Sequence, residues 1–376
     1  MEDLLKLRDE IDKIDNQIVA LYEKRMEIAE GVARFKIATG KKVFDKEREN
    51  SKLATLSDKA STEFTRLGIT ELFEQIMAMS RKRQYQLLTE HGMVEESGFA
   101  LVSDLRKESV RVVFQGVEGA YSQQAMIEYF GKDCKSFHVD TWKDAMEAIS
   151  NGQADYAVLP IENSSAGIVS ENYDLLVEYD NYIVGEQIIH IRHALLGLEE
   201  ACADNIQTVY SHPQALMQCN EFLYENSNWD KISMKNTAMA AKKIKEDADV
   251  TQAAIASALT AKIYGLKILN DNISNSENNA TRFIIVSNNK ICRKDAGKIS
   301  VCFEVAHESG SLYHMLSHFI YNHINMTNIQ SRPIKDRNWE YRFFVDFEGT
   351  LEDTSVQNAL RAIKEEASSL RILGTY

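Results

Sequence analysis

The first forty residues constrain the fold more than any other stretch. Leu4, Leu7, Ile11, Ile14, Ile18, Leu21, Ile28 and Val32 recur mostly at three- and four-residue steps, the spacing of one helix face. No proline interrupts residues 1–90, and glycine occurs there only at 31, 40 and 68. The pattern predicts one long amphipathic helix ending near Gly40. A second helix is expected over 45–57, and a third over 62–88, interrupted or bent near Gly68. A helix of roughly 35 residues cannot bury its stripe inside so small a region. Pairing with a second copy of the chain is the expected remedy. Residues 1–90 hold 17 Lys+Arg and 17 Asp+Glu, so the net charge of −13 belongs to the remainder of the 376 residues. The first ninety residues are a compositionally separate all-helical domain, with 91–108 expected to be a charged, aperiodic linker.

Placing the cations at about 100° per residue puts Arg25 and Lys36 on one face, with Ala29 and Val32 as an apolar floor between them. Arg8 falls off that face and lies about 25 Å away along the axis, so it can join the pair only from an antiparallel partner. Ser80 and Gln84 present two uncharged polar groups at i and i+4. Solvated basic residues on a helix surface are the alternative. The motifs Leu-x-x-Leu-Arg-x-x-Ile-Asp at 4–12, Lys24-Arg25, Lys36, Asp45-Lys46-Glu47-Arg48 and Ser80-x-x-x-Gln84 resemble the all-helical class of chorismate mutases. The resemblance implies that Arg8 of a partner, Arg25 and Lys36 bind the substrate's two carboxylates. It implies that Lys36 and Gln84 hydrogen-bond the ether oxygen of the breaking bond, and that Glu47 holds the substrate hydroxyl. Lys46, standing where some members have Arg, and Ser80 complete the substrate-binding set.

From 109 the pattern becomes α/β. Val110–Phe114 reads as a strand, followed by the turn Gly116-Val117-Glu118-Gly119-Ala120-Tyr121-Ser122. Its glycines lack the Lys-Ser/Thr of a phosphate loop and the full dinucleotide fingerprint. Tyr156–Leu159 reads as a strand ending in the polar cluster Pro160-Ile161-Glu162-Asn163-Ser164, where α/β sheets place their sites. His190–Leu196 reads as a strand containing His193, and Ala253–Tyr264 as a helix of small residues. Thr281 and Arg282 meet at the entrance to the apolar run Ile284-Ile285-Val286, expected to be a buried strand. The chain's three prolines, Pro160, Pro213 and Pro333, each lie in a candidate site loop.

Gly-x-x-Gly-Ala-Tyr-Ser, Pro-Ile-Glu-Asn-Ser, Ser-His-Pro-Gln-Ala-Leu and Asn-x-Thr-Arg-Phe occur in this order over 110–287. Together they resemble prephenate dehydratase. The implied fold, over 109–288, is two α/β subdomains of periplasmic-binding-protein type with a cleft between them. Thr281 carries the implied catalytic hydroxyl, with Asn163, Ser164, Ser211 and Gln214 lining the cleft and Arg282 binding or orienting a carboxylate. The implied reaction removes water and carbon dioxide from prephenate. A threonine hydroxyl is a poor acid, so a relay through Glu162 or His193 is expected behind it.

The tail, 298–376, reads strand–helix–strand–strand–helix–strand, the ferredoxin-like βαββαβ order. Glu308-Ser309-Gly310-Ser311-Leu312 and Gln330-Ser331-Arg332-Pro333 resemble the phenylalanine-binding motifs of ACT regulatory domains, with Gln330 standing where members have Glu. The resemblance assigns effector binding to Gly310, Ser311, Leu312 and Gln330–Pro333. Removing 298–376 is then expected to abolish inhibition and leave catalysis. His314 and His318 sit at i and i+4 without a third ligand and read as non-metal.

No metal or organic cofactor is implied. The acidic balance argues against nucleic acid, and no apolar run approaches a membrane span. Five scattered cysteines without a Cys-x-x-Cys pair indicate neither a disulfide framework nor a zinc ribbon, and the compartment reads as cytoplasmic. The expected partners are chorismate, prephenate, an L-phenylalanine effector and further copies of the chain. The rival from another class is an amino-acid sensor that binds without turnover.

Overall fold

The computed structural model describes residues 4–93, 97–105 and 109–376. The chain forms two compact units. One comprises Met1–Ser97 with Val301–Ile372, the other Gly98–Ser300 with Leu373–Tyr376.

The first unit opens with α1 (Leu4–Thr39), α2 (Lys46–Ser57) and α3 (Glu63–Glu90). Asp45 caps α2 by accepting from the Arg48 N–H, and Thr62 opens α3 with a reciprocal capping box with Thr65. The third helix runs without interruption through Gly68. Only Ala29 and Ala33 of α1 are buried, while Leu4, Leu5, Ile11, Ile14, Ile18, Leu21 and Ile28 are all at least half exposed. The apolar stripe thus finds no cover within one chain.

The C-terminal part of this unit runs βαββαβ: Lys298–Glu304, Ser311–Tyr321, Met326–Pro333, Tyr341–Glu348, Thr354–Glu366 and Ser369–Thr375. Its strands lie in the order Met326–Pro333, Tyr341–Glu348, Lys298–Glu304, Ser369–Thr375. The helical and C-terminal parts, expected to be separate domains, share a small core. Val43 and Tyr85 pack with Ala362, and Thr89 Oγ1 meets Asn358 Oδ1 at 2.8 Å.

Among the described residues the second unit is built on two large sheets, with a two-stranded one beside them. The first has the order Lys267–Asn270, Ala194–Gly197, Gln252–Ala256, Thr208–Ser211, Asp230–Ser233. The other places Tyr182–His190, Ala280–Ser287, Tyr156–Asn163, Arg111–Gln115 and Lys135–Val139 side by side. Ala253–Ala256, expected to be helical, is a strand at the centre of the first sheet and wholly inaccessible to solvent. Alanine's helix propensity yields there to burial on both faces. His193 lies outside any strand, in the crossing between Tyr182–His190 and Ala194–Gly197. Pro160 does not end its strand, because the pairing with Ala280–Ser287 continues across a bulge between Arg282 and Phe283.

The segment 98–105 is not a bare linker. Ala100–Val102 pairs in parallel with Ile291–Arg293, and Leu105 is buried. Residues 94–96 and 106–108 of the expected linker lie outside the described residues. The chain also returns to this unit after residue 372. Gly374 pairs with Ile183 so closely that a Cβ would sit 2.0 Å from the Ile183 carbonyl oxygen. The Tyr376 carbonyl accepts from the Gly297 and Lys298 N–H groups.

Candidate active sites

The helical part of the first unit encloses a cavity of about 550 Å³ between α1, α2 and α3. Arg25 and Lys36 line it, with Ala29 and Val32 between them, and Ser80 and Gln84 face it from α3. The Lys36 ammonium donates to the Val43 carbonyl at 2.6 Å, and Arg25 to the Ile76 carbonyl at 3.4 Å. Burial depresses the pKa of both cations. Both side chains are therefore only partly compensated, a condition that favours an anionic guest. Gln84 donates from Nε2 to Ser80 Oγ at 3.4 Å, leaving its Oε1 buried without a partner.

Two expected residues are not in this wall. Glu47 does not line the cavity, and Lys46 turns away to pair with Glu308 at 3.3 Å. Asp45, Arg48, Glu49 and Lys52 line it instead. The cause is angular, since Glu47 and Glu49 are about 200° apart around α2. Reading α2 as a stripe from its cap Asp45 at i, i+3, i+4 and i+7 would have found these residues. Arg8 is exposed on α1 and is not brought to this cavity.

Arg81 was missed altogether, although it follows Ser80 directly. It is buried and forms an ion pair with Glu49. Its Nε lies 2.9 Å from Glu366 Oε1, outside hydrogen-bond geometry, and its guanidinium carbon stands 5.0 Å from the Phe44 ring centroid.

The second unit has a cavity of about 190 Å³, lined by strand residues of the second sheet and by loop and helix residues that follow strands of the first. Thr281, Asn163 and Gln214 are among them, with Tyr121, His193, Gln218 and Thr237. The strand register sets Thr281 directly opposite Asn163, and Asn163 Nδ2 donates to Thr281 Oγ1 at 2.8 Å. From Asn163 a hydrogen-bonded chain runs outward. Ser165 Oγ donates to Asn163 Oδ1 at 2.8 Å, Gln218 Nε2 donates to Ser165 Oγ at 2.7 Å, and Gln218 Oε1 meets His193 Nε2 at 3.0 Å. His193 also lies 3.1 Å from the Tyr121 hydroxyl. Burial lowers its pKa.

Three expected residues sit beside this cavity and do not line it. Ser211 is fully buried and donates to the Ile255 carbonyl at 2.7 Å. Ser164 holds the turn before Thr281 by accepting from the Ala280 N–H at 3.0 Å. Arg282 follows Thr281 in a strand, so its side chain takes the opposite face and pairs with Glu162 and Glu186, each at 3.5 Å. Glu162 is thereby engaged away from the hydroxyl. Neither it nor His193 bonds Thr281 directly, and His193 connects to it only through Gln218, Ser165 and Asn163. Gly119, at φ +88°, lets the turn before Tyr121 approach Thr260 so closely that a Cβ would stand 3.2 Å from it.

Of the residues expected to bind an effector, Ser311 lines a third cavity of about 230 Å³ with Glu308 and Ser309. Gly310 caps the helix Ser311–Tyr321, with Leu312 in its first turn. Gln330, Ser331, Arg332 and Pro333 lie on the strand Met326–Pro333 and are not among that cavity's residues. Gln330 donates to Asn328 Oδ1 at 3.0 Å. His318 is buried 3.1 Å from Glu366. No described helix is long and apolar enough to cross a membrane.

The family model described as Chorismate mutase type II matches residues 7–85, and that described as Prephenate dehydratase matches 112–291. The chain is 35% identical to the bifunctional chorismate mutase/prephenate dehydratase of Buchnera aphidicola subsp. Acyrthosiphon pisum, covering 99% of this chain and 96% of that one. Among solved structures it resembles GqqA, described as a quorum-quenching acylase, at 30% identity and TM-score 0.65, over 71% of this chain and 97% of that one. It also resembles the prephenate dehydratase of Arthrobacter aurescens in complex with L-Phe, at 28% identity and TM-score 0.65, over 71% and 90%.

Proposed function

Starting from the fact that the chain belongs to the bifunctional chorismate mutase/prephenate dehydratase family, we propose a division of the two reactions between the two cavities. Chorismate rearranges to prephenate in the helical cavity, and prephenate becomes phenylpyruvate in the cavity around Thr281. The observation that carries this reading is the charge of each cavity. The first gathers Arg25, Lys36 and Arg48 over an apolar floor, whereas the lining of the second is neutral apart from its histidines.

The rearrangement breaks the ether C–O bond and forms a C–C bond within one molecule, with no group gained or lost. It requires a dianion held in a compact conformer and donors at the oxygen that gains charge. Arg25 and Arg48 take the carboxylates, joined by Arg8 of a partner chain. Lys36 donates to the ether oxygen. A half-turn of the Gln84 amide lets Ser80 donate to its Oε1 and brings its N–H to the same oxygen. Glu49, not Glu47, faces the substrate hydroxyl. The exposed stripe of α1 supports a homodimer built on that helix.

In the second reaction the prephenate dianion takes up one proton and yields phenylpyruvate, carbon dioxide and water. The C–CO₂ bond breaks, its electron pair enters the ring, and the ring hydroxyl leaves. Thr281 protonates that hydroxyl. Because Asn163 donates to Thr281 Oγ1, the threonine's own proton is free to point at the substrate. The helices Tyr121–Phe130 and Thr237–Asp247 begin at this cavity, and their N–H groups suit the substrate carboxylates.

The two-sheet unit fits a periplasmic-binding-protein-like fold, and the βαββαβ part fits an ACT domain. L-phenylalanine bound through Gly310–Leu312 and Gln330–Pro333 inhibits the enzyme, a reading supported by the L-Phe in complex with the A. aurescens protein. The setting is cytoplasmic.

The test is to supply chorismate and follow prephenate and phenylpyruvate together, with and without L-phenylalanine. Phenylpyruvate formation suppressed by phenylalanine is expected. Prephenate accumulating alone would overturn the Thr281 assignment, and unchanged chorismate the mutase assignment.

A further inference from the structure

The last helix of the first unit, Thr354–Glu366, ends on two adjacent carboxylates. A helix C-terminus carries partial negative charge and disfavours anions, and burying a carboxylate adds a desolvation penalty. Glu366 is nevertheless 7% exposed. Glu366 reaches a residue that lines the helical cavity, and Glu365 reaches two that stand behind its wall. Glu366 lies against Arg81 (2.9 Å), which holds Glu49 in the cavity wall by an ion pair. Glu365 Oε2 accepts from the Phe44 N–H and from the Tyr85 hydroxyl, each at 2.8 Å. Phe44 sits between Val43, whose carbonyl receives the Lys36 ammonium, and Asp45, which caps α2. Burial opposes ionisation of Glu366, yet His318 and Arg81 beside it hold its carboxyl below the usual range.

We propose that Glu366, assisted by Glu365, is a positioning residue of the mutase cavity, so that the C-terminal part of the chain fixes two of the cavity's walls. The proposal rests on the assignment of chorismate rearrangement to that cavity. Without Glu366, Arg81 loses one of its two carboxylate partners and is free to leave Glu49. Glu49 then becomes an uncompensated, mobile anion in a site built for a dianion. Substrate binding suffers more than the chemical step, because a misplaced wall charge acts on bound substrate and transition state alike.

The experiment compares full-length wild type, Glu366→Ala, Glu366→Gln and Glu366→Asp, with the exposed Glu352→Gln as control. Mutase kcat and KM are measured with chorismate, and dehydratase activity with prephenate supplied directly. The alanine and glutamine variants should raise the mutase KM about tenfold, with a smaller fall in kcat. The aspartate variant, which keeps the charge, should recover most of the loss, and dehydratase activity should stay at the control level. Mutase parameters equal to those of Glu352→Gln overturn the proposal. So does a loss that aspartate fails to relieve, or one shared by the dehydratase, since either reports general disruption. Wild type that does not turn over chorismate removes the mutase assignment itself, and the proposal with it.

Discussion

Asn163 Nδ2 donates to Thr281 Oγ1 at 2.8 Å across two antiparallel strands whose register sets these residues face to face. The bond uses a lone pair of the hydroxyl and so fixes where its proton points. Asn163→Ala should lower dehydratase kcat about 10- to 100-fold while leaving the mutase unchanged. Thr281→Ser should retain activity and Thr281→Val should abolish it. Phenylpyruvate formation from prephenate checks all three.

Glu49 lines the helical cavity and Glu47 does not. Glu49→Ala should reduce mutase kcat/KM at least about tenfold, whereas Glu47→Ala should stay near wild type. The reverse result would return the hydroxyl-binding role to Glu47.

Ile14 and Ile18 are each at least half exposed on α1. Replacing both with Asp should give a monomer in sedimentation velocity and remove mutase activity, because Arg8 is not brought to the cavity of its own chain. Dehydratase activity is the fold control.

Burial lowers the pKa of His193 and of His212. The unfolded chain takes up protons near pH 6.5, while the folded protein resists them. Stability from this source is complete above about pH 6.5 and declines as pH falls toward the depressed folded values. Urea midpoints of the dehydratase unit should drop across that interval, less steeply in His193→Gln.

Removing residues 298–376 was expected from sequence to spare catalysis. The contacts of this segment argue for the other outcome, a tail that is structural. The deletion also takes Gly374 from its place against Ile183 and Lys298 from Glu186, 2.5 Å away. A 1–297 chain should lose dehydratase activity and melt at lower temperature than the full chain.

Much of the fold was legible because periodicity reports burial. The stripe of α1 and the run Ile284–Val286 announced a helix and a buried strand without ambiguity. Ala253–Ala256 misled because alanine signals helix unless both faces are covered, and coverage is decided by distant residues. The charged residue types of the helical cavity stand in the sequence, but whether Glu47 or Glu49 faces it depends on the helical phase set by Asp45. Glu366 left no local signal. Its role depends on Arg81, 285 positions earlier in sequence.

The return of Leu373–Tyr376 to the second unit has a consequence for how the protein is made. A ribosome completes 98–300 and then the whole of 301–372 before it supplies the residues that lie against Ile183 and Gly297. The dehydratase unit therefore waits, one strand short, while the intervening segment is synthesised and folds. During that interval the backbone beside Ile183 is an open sheet edge, the feature most prone to mispairing with a neighbouring nascent chain.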